Sequence, residues 1–320
     1  APHGRSQDRS GHPMTPPPQR RPGCAATRLA HREPVFASAP ERFTTWLLVE
    51  HPGPWPATGL PPDLPHEAAL VWKAAQEAGI RPQFIRRVRD RRGPTSTVVT
   101  AHAGHTGQPW LERRVLTDLR ELADLDLDAL AAGRPPGFGE PSAEQLVLVC
   151  THGLKDVCCA RLGRPLAVLL DRALPGRVWE TNHVGGDRYA ANVVTLPDAA
   201  YHGGLATSDV PALTAALTAG HVLPSHLRGR AGLPSPVQAA EHHLRAHLGL
   251  LALDAVRPLG PPTADDQDVV RVELQVRDGA RYAVRVRPRT SEEPRLTSCA
   301  GTGTIGTPTT YDLVELRALD

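Results

Sequence analysis

The chain has 320 residues, 40% of them hydrophobic and 22% charged, a balance that supports folded domains and excludes an intrinsically disordered polymer. Thirty-six basic residues against thirty-four acidic ones leave a formal charge of +2, which argues against a polyanion-binding protein as a whole. No run of eighteen apolar residues occurs and no apolar stretch follows the N-terminal arginines, so neither a membrane span nor a secretory signal is expected.

Residues 1–23 are polar and rich in Pro, Gly and Arg, and are expected to form a disordered tail, with Met14, the only methionine, as the natural start. TTWLLVE (44–50) reads as a buried strand, stopped by the Pro- and Gly-containing turn at 51–55. PHEAALVWKAAQEAGI (65–80) spaces its apolar residues as a helix does. Strands are expected at 82–88, 95–103 and 111–116, then a helix over 116–133 that stops at Gly133. GRPPGFGEPSAEQ (133–145) is the best linker, and it divides the chain into an N-terminal α/β domain (24–140) and a second domain (141–320).

The second half repeats the order of the first. LVLVC (146–150) is a buried strand and ARLGRPLAVLLDRAL (160–174) an amphipathic helix. Strands follow at 177–183, 192–198 and 201–205, then a helix at 208–220. A further helix is expected over 235–256. The segment 269–288 alternates around Asp278-Gly279 as a β-hairpin does.

Five cysteines are present: Cys24, Cys150, Cys158, Cys159 and Cys299. The count is odd and three crowd into ten residues, which fits a metal or redox site in a cytoplasmic protein better than a secreted disulfide scaffold. Cys150 ends a strand and Cys159 stands at the mouth of the next helix, with eight loop residues between them, enough to wrap a metal centre. The helix N-terminus favours thiolate there. Downstream, His183-Val-Gly-Gly-Asp187 follows a strand, and its two glycines let the backbone approach something bulky.

WLLVEHPGPW (46–55), CTHGLKDVCCARLGRP (150–165), WETNHVGGDRYAANVVTLPDAAYHGGL (179–205) and the C-terminal hairpin together resemble the sucrase/ferredoxin-like proteins. The resemblance spans roughly residues 24–320. It implies an α/β fold: a thioredoxin-like [2Fe-2S] ferredoxin domain, preceded by a degenerate thioredoxin-like half without ligands and carrying a C-terminal hairpin. It further implies an electron-transfer protein, a redox carrier rather than a catalyst with its own substrate, serving a redox partner protein. Carried over by position, the cluster ligands are Cys150, Cys159, His183 and Asp187. Relatives carry His-x3-His or Cys-x3-Cys at the second pair, and a carboxylate is a harder ligand. The fourth ligand is therefore Asp187, Cys299 or Cys158. Cys299 enters because the terminal hairpin can fold back over the cluster.

Other readings compete. The same ligands suit a structural zinc ion, and Cys158 with Cys159 suggests a thiol redox protein, although no Cys-x-x-Cys is present. Cys158 reads as a small buried residue at a helix start and Cys24 as incidental. His152 is expected to bond the loop backbone, and Asp156 with Arg161 to close the loop as an ion pair. Six arginines (Arg81, Arg86, Arg87, Arg89, Arg91 and Arg92) form the densest positive run. They read as a solvated strand edge ahead of a docking face for an acidic partner. Without interleaved aromatics beyond Phe84, they do not read as a nucleic-acid surface. His242, His243 and His247 read as a solvated helix face. Gly301-Thr-Gly-Thr-Ile-Gly306 matches a dinucleotide fingerprint but no crossover helix follows, so it reads as a loop. No carboxylate pair marks a glycosidase site.

Overall fold

The computed structural model describes residues 22–89, 93–105 and 108–320, so most of the expected tail, Met14, Arg91 and Arg92 lie outside the described residues. The fold is mixed α/β. Strands β1 (Thr45–Glu50), β2 (Arg81–Arg87), β3 (Ser96–His102), β4 (Trp110–Leu116) and β5 (Glu140–Pro141) come from the first half. From the second come β6 (Leu146–Cys150), β7 (Val178–Thr181), β8 (Val193–Leu196), β9 (Ala200–His202) and β10 (Leu227–Arg230). All ten join one curled sheet in the order β10-β9-β8-β6-β7-β2-β1-β3-β4-β5.

The two halves have one topology. In the first, β1 pairs parallel with β2 and antiparallel with β3, which pairs antiparallel with β4. In the second, β6 pairs parallel with β7 and antiparallel with β8, which pairs antiparallel with β9. Each parallel pair is joined through a crossover helix, α2 (His66–Glu77) or α4 (Val157–Ala173), as parallel pairing requires. This is the strand arrangement of a thioredoxin-like core, and the repeated order of elements in the sequence is its trace. The halves meet edge to edge through antiparallel pairing of β2 with β7, Ile85 opposite Thr181 and Arg87 opposite Trp179.

Why β1 and β6 are apolar throughout follows from burial on both faces. Leu47 and Val49 face α2, whereas Val147 and Val149 face Leu166, Ala167 and Leu170 of α4. On the other face Trp46, Leu48, Leu146, Leu148 and Cys150 join Ile85, Trp179 and Tyr201 in a core shared by both halves. Cys150 therefore ends its strand inside the central core. Helix α4 crosses β6 at Gly163, where a methyl group would overlap the Cys150 carbonyl oxygen. Gly163→Ala is expected to cost about 1–3 kcal/mol through forced backbone shifts, read as a lowered Tm in thermal unfolding.

A second sheet is built from β11 (Val256–Pro258), β12 (Thr263–Ala264), β13 (Val270–Val276), β14 (Arg281–Thr290) and β17 (Thr309–Leu319). It is covered by α6 (Ser235–Leu248). The β13–β14 hairpin turns at Asp278-Gly279 as expected, with Gly279 at φ 97°. Between β14 and β17 the chain inserts a short hairpin, β15 (Arg295–Ser298) and β16 (Thr304–Gly306), whose Leu296 and Cys299 pack against the central core. The glycine motif at 301–306 is the turn and second strand of that hairpin.

Two expected helices differ. Residues 116–133 form a 3-10 turn at Leu119–Asp124 and a five-residue helix, α3 (Leu127–Ala131), because Asp118 and Asp126 each cap a new start and Leu125 is extended between them. The helix expected to reach 256 stops at Leu248, where Gly249 takes a left-handed conformation. The remaining helices are α1 (Cys24–Ala30) and α5 (Val210–Thr218). No helix among the described residues is long and apolar enough to cross a membrane.

The arginine run is not a solvated edge, because β2 lies where the halves join. Arg81 and Arg86 are buried, the first over Phe43 and the second on Glu180 at 2.7 Å and over Trp55. Arg87 stacks over Trp179 and Arg89 pairs with Asp171. Nor is the histidine helix face fully solvated: His242 stacks on Phe36 with ring centroids 4.1 Å apart.

Candidate metal centre

Cys150 is fully buried at the end of β6, and the loop 151–156 brings the chain back to α4. Asp156 caps that helix, its Oδ1 accepting the Cys158 N–H at 2.8 Å. This sets Cys158 and Cys159 side by side in the first turn, aimed at different neighbours. The expected Asp156–Arg161 pair is absent: Arg161 is exposed, and Asp156 is buried at the cap. His152 bonds backbone as expected, with Nε2 3.3 Å from the Trp55 carbonyl in the other half.

Cys159 turns inward. Its thiol contacts that of Cys150 and lies 3.7 Å from Asp187 Oδ1. His183 and Asp187 come from the loop after β7, and His183 Nδ1 stands 3.1 Å from Asp187 Oδ1. That nitrogen is buried yet has no aligned hydrogen bond. The four residues expected from the sequence thus form a chain of contacts, Cys150 to Cys159, Cys159 to Asp187 and Asp187 to His183. Cys159 beside it, then His183 and the backbone N–H groups of His152 and Val184, bring the Cys150 thiol down to about 7 against the cost of burial. Cys159, facing Cys150 in the same buried space, is pushed up. Burial would raise Asp187, but His183, Ser298 and Cys159 together hold it below the usual carboxylate range.

The first half positions this loop although it supplies none of the four. Gln83 and Arg81 of β2 donate to the His183 carbonyl at 3.2 and 3.4 Å. From the other side Arg228, fully buried, donates to the Gly185 carbonyl and to Asn192 Oδ1, both at 2.9 Å. A Cβ at Gly186 would strike that guanidinium, and its φ is 76°. The bulky group that Gly186 admits is therefore Arg228.

Cys158 turns the other way, toward two cysteines far off in the sequence. Cys24 in α1 lies 3.7 Å from Cys158, and Cys299 in the β15–β16 turn also lies 3.7 Å from it. Asp156 Oδ2 is 3.6 Å from Cys24 Sγ, and the ligand atoms of Cys24, Asp156, Cys158 and Cys299 all lie within 4.8 Å of one another, close enough to hold a metal ion. Cys24 is not incidental: it is fully buried in a helix packed on this site. Hydrogen bonding from Cys24, with the Ala25 N–H and Cys299, brings Cys158 down to about 6 despite burial, while Cys24 is correspondingly raised. All five cysteines are free thiols.

One hydroxyl joins the two groups. Ser298 Oγ lies 2.6 Å from Asp187 Oδ2 and 3.3 Å from Asp156 Oδ2, so each carboxylate is held in the register of the other. The hairpin that carries Ser298 is anchored by Arg295, 3.2 Å from buried Glu33. Glu33 also takes Arg188 at 2.6 Å and the Tyr189 hydroxyl at 3.0 Å.

A family model described as sucrase/ferredoxin-like matches residues 39–229, more than half of the chain. The matched span contains Cys150, Asp156, Cys158, Cys159, His183 and Asp187, and leaves Cys24 before it and Cys299 after it. No curated protein and no solved structure matches significantly. The chain belongs to the sucrase/ferredoxin-like family.

Proposed function

We propose that this protein is a cytoplasmic electron carrier whose [2Fe-2S] cluster is held by Cys150, Cys159, His183 and Asp187. The observation that carries the reading is the chain of contacts linking two thiols, a carboxylate and an imidazole drawn from a strand end, a helix start and one loop. These donors fit the group. Thiolates are the usual ligands of such clusters, and imidazole replaces them in the Rieske case. The cluster supplies one-electron chemistry, and the protein sets its potential through ligand charge, burial and hydrogen bonds to sulfur.

Each part of that tuning has a residue here. The His152 and Val184 N–H groups point at Cys150 and stabilise it as thiolate. Two thiolates, one carboxylate and one neutral imidazole give an oxidised centre a single net negative charge, between the all-thiolate and the two-histidine arrangements. His183 is the half-exposed member, 32% accessible, while Cys150, Cys159 and Asp187 are buried. A redox partner protein would therefore reach the centre at His183, and the buried residues keep water from the iron. No acid–base pair is needed, because electron transfer makes and breaks no substrate bond.

The test is chemical. Protein isolated anaerobically after iron-sufficient expression should be red-brown, with about two irons and two acid-labile sulfides per chain as the cluster type requires. Colourless protein with zinc on Cys150, Cys159 and His183 would replace this reading by a structural zinc site.

A further inference from the structure

We propose that Cys24, Cys158, Cys299 and Asp156 form a second, separate site for one tetrahedral divalent ion, zinc, which fastens three distant parts of the chain together. The spacing is that of a single ion. Sulfurs bound about 2.3 Å from a tetrahedral zinc stand about 3.8 Å apart, and a sulfur and a carboxylate oxygen about 3.5 Å apart. Here Cys158 Sγ is 3.7 Å from both other sulfurs, and Asp156 Oδ2 is 3.6 Å from Cys24 Sγ.

The surroundings fit a bound cation. Asp156 is 1% exposed, and among the described residues no Lys, Arg or His pairs with it. A buried carboxylate among three thiols without a counter-charge is costly, and a divalent ion supplies that charge. The amide groups are arranged for thiolates: Cys24 N–H donates to Cys299 Sγ at 3.1 Å and the Ala25 N–H to Cys158. Asp156 is oriented by two N–H groups, its Oδ1 accepting from Cys158 at 2.8 Å and its Oδ2 from Cys299 at 2.6 Å. Gly23 completes the cradle, since a Cβ there would sit 2.7 Å from Cys158 Sγ.

The three thiols come from α1, the start of α4 and the inserted hairpin, and two of the three lie outside the family-matched span. The site therefore joins one thiol inside the matched span to two outside it. Its ion would pin both flanking segments to the helix whose next residue, Cys159, belongs to the other centre. Three soft thiolates and a carboxylate in tetrahedral spacing select zinc over hard cations.

Metal analysis of the full-length protein, expressed with iron and zinc both supplied, tests this. We expect one zinc per chain, lost in Cys24→Ser and in Cys299→Ser while iron and the visible spectrum stay at the wild-type level. Zinc absorption-edge scattering should show three sulfurs at about 2.3 Å and one oxygen at about 2.0 Å. Zinc that survives both substitutions overturns the proposal. So does iron lost with either, which would make these thiols cluster ligands, or a disulfide between any two of them in the intact mass. If the variants fold poorly, thiol alkylation of wild-type protein decides. A zinc chelator should expose Cys24, Cys158 and Cys299 together while Cys150 and Cys159 stay protected, and labelling that ignores the chelator refutes the site. Failure of the iron–sulfur reading would show instead as missing iron and sulfide, with this zinc unaffected.

Discussion

Cys159→Ser is expected to give colourless protein without iron or sulfide, whereas Cys158→Ser should keep the visible spectrum of the wild type. The two residues are neighbours in sequence and both are buried, so burial alone does not separate them. Direction does. Consecutive residues on a helix point about 100° apart, as 3.6 residues per turn requires. Cys159 thus meets Cys150 and Asp187, while Cys158 meets Cys24 and Cys299. Serine in place of Cys159 removes a thiolate ligand and leaves a harder, weakly acidic hydroxyl in a buried space. Serine in place of Cys158 acts on the second group and reaches the cluster only through Asp156 and Ser298. Iron and sulfide content, with the visible spectrum, measures both variants. Loss of colour in Cys158→Ser with retention in Cys159→Ser would exchange their roles.

How much of this was legible in the sequence depended on chain separation. Buried strands such as TTWLLVE and LVLVC declare themselves, because burial on both faces demands an unbroken apolar run. The resemblance implied Cys150, Cys159, His183 and Asp187 as a set. Their nearness to one another is legible because Cys150 ends a strand, Cys159 stands in the first turn of the next helix and the other two share the loop after the following strand. Cys24 and Cys299 were not legible. They stand 275 positions apart, and a single cysteine in a polar stretch or a turn carries no spacing to read. The available signal was the odd cysteine count in a chain with few of them, taken together with the hairpin expected to fold back. The helix over 116–133 misled because its apolar spacing continues across aspartates that cap new turns, a competition between side chain and backbone that periodicity ignores. The arginine run misled because burial of Arg81 and Arg86 depends on the pairing of two halves through β2 and β7, a contact that neither half encodes by itself.

Asp187 stands where the resemblance implies a second histidine or cysteine, and its replacement should move the reduction potential most. Its Oδ1 faces Cys159 and His183, and its Oδ2 takes the Ser298 hydroxyl at 2.6 Å, so the carboxylate is held at the centre and kept ionised. An added electron is repelled by that negative charge. Asp187→His keeps a ligand, removes the charge and should therefore raise the potential, by an amount on the order of 100 mV given the spread between thiolate and histidine clusters. Asp187→Ala leaves an iron site open to water, and its cluster should bleach within the time of a purification that the wild type survives. Cys299→Ser is the contrasting variant: Cys299 sits against Cys24 and Cys158, so its loss should leave the cluster in place and its potential close to the wild-type value. Potentiometric titration of the three variants beside the wild type separates the alternatives. A cluster that survives Asp187→Ala with only a shifted potential, yet disappears in Cys299→Ser, would remove Asp187 from the ligand set and put Cys299 in its place.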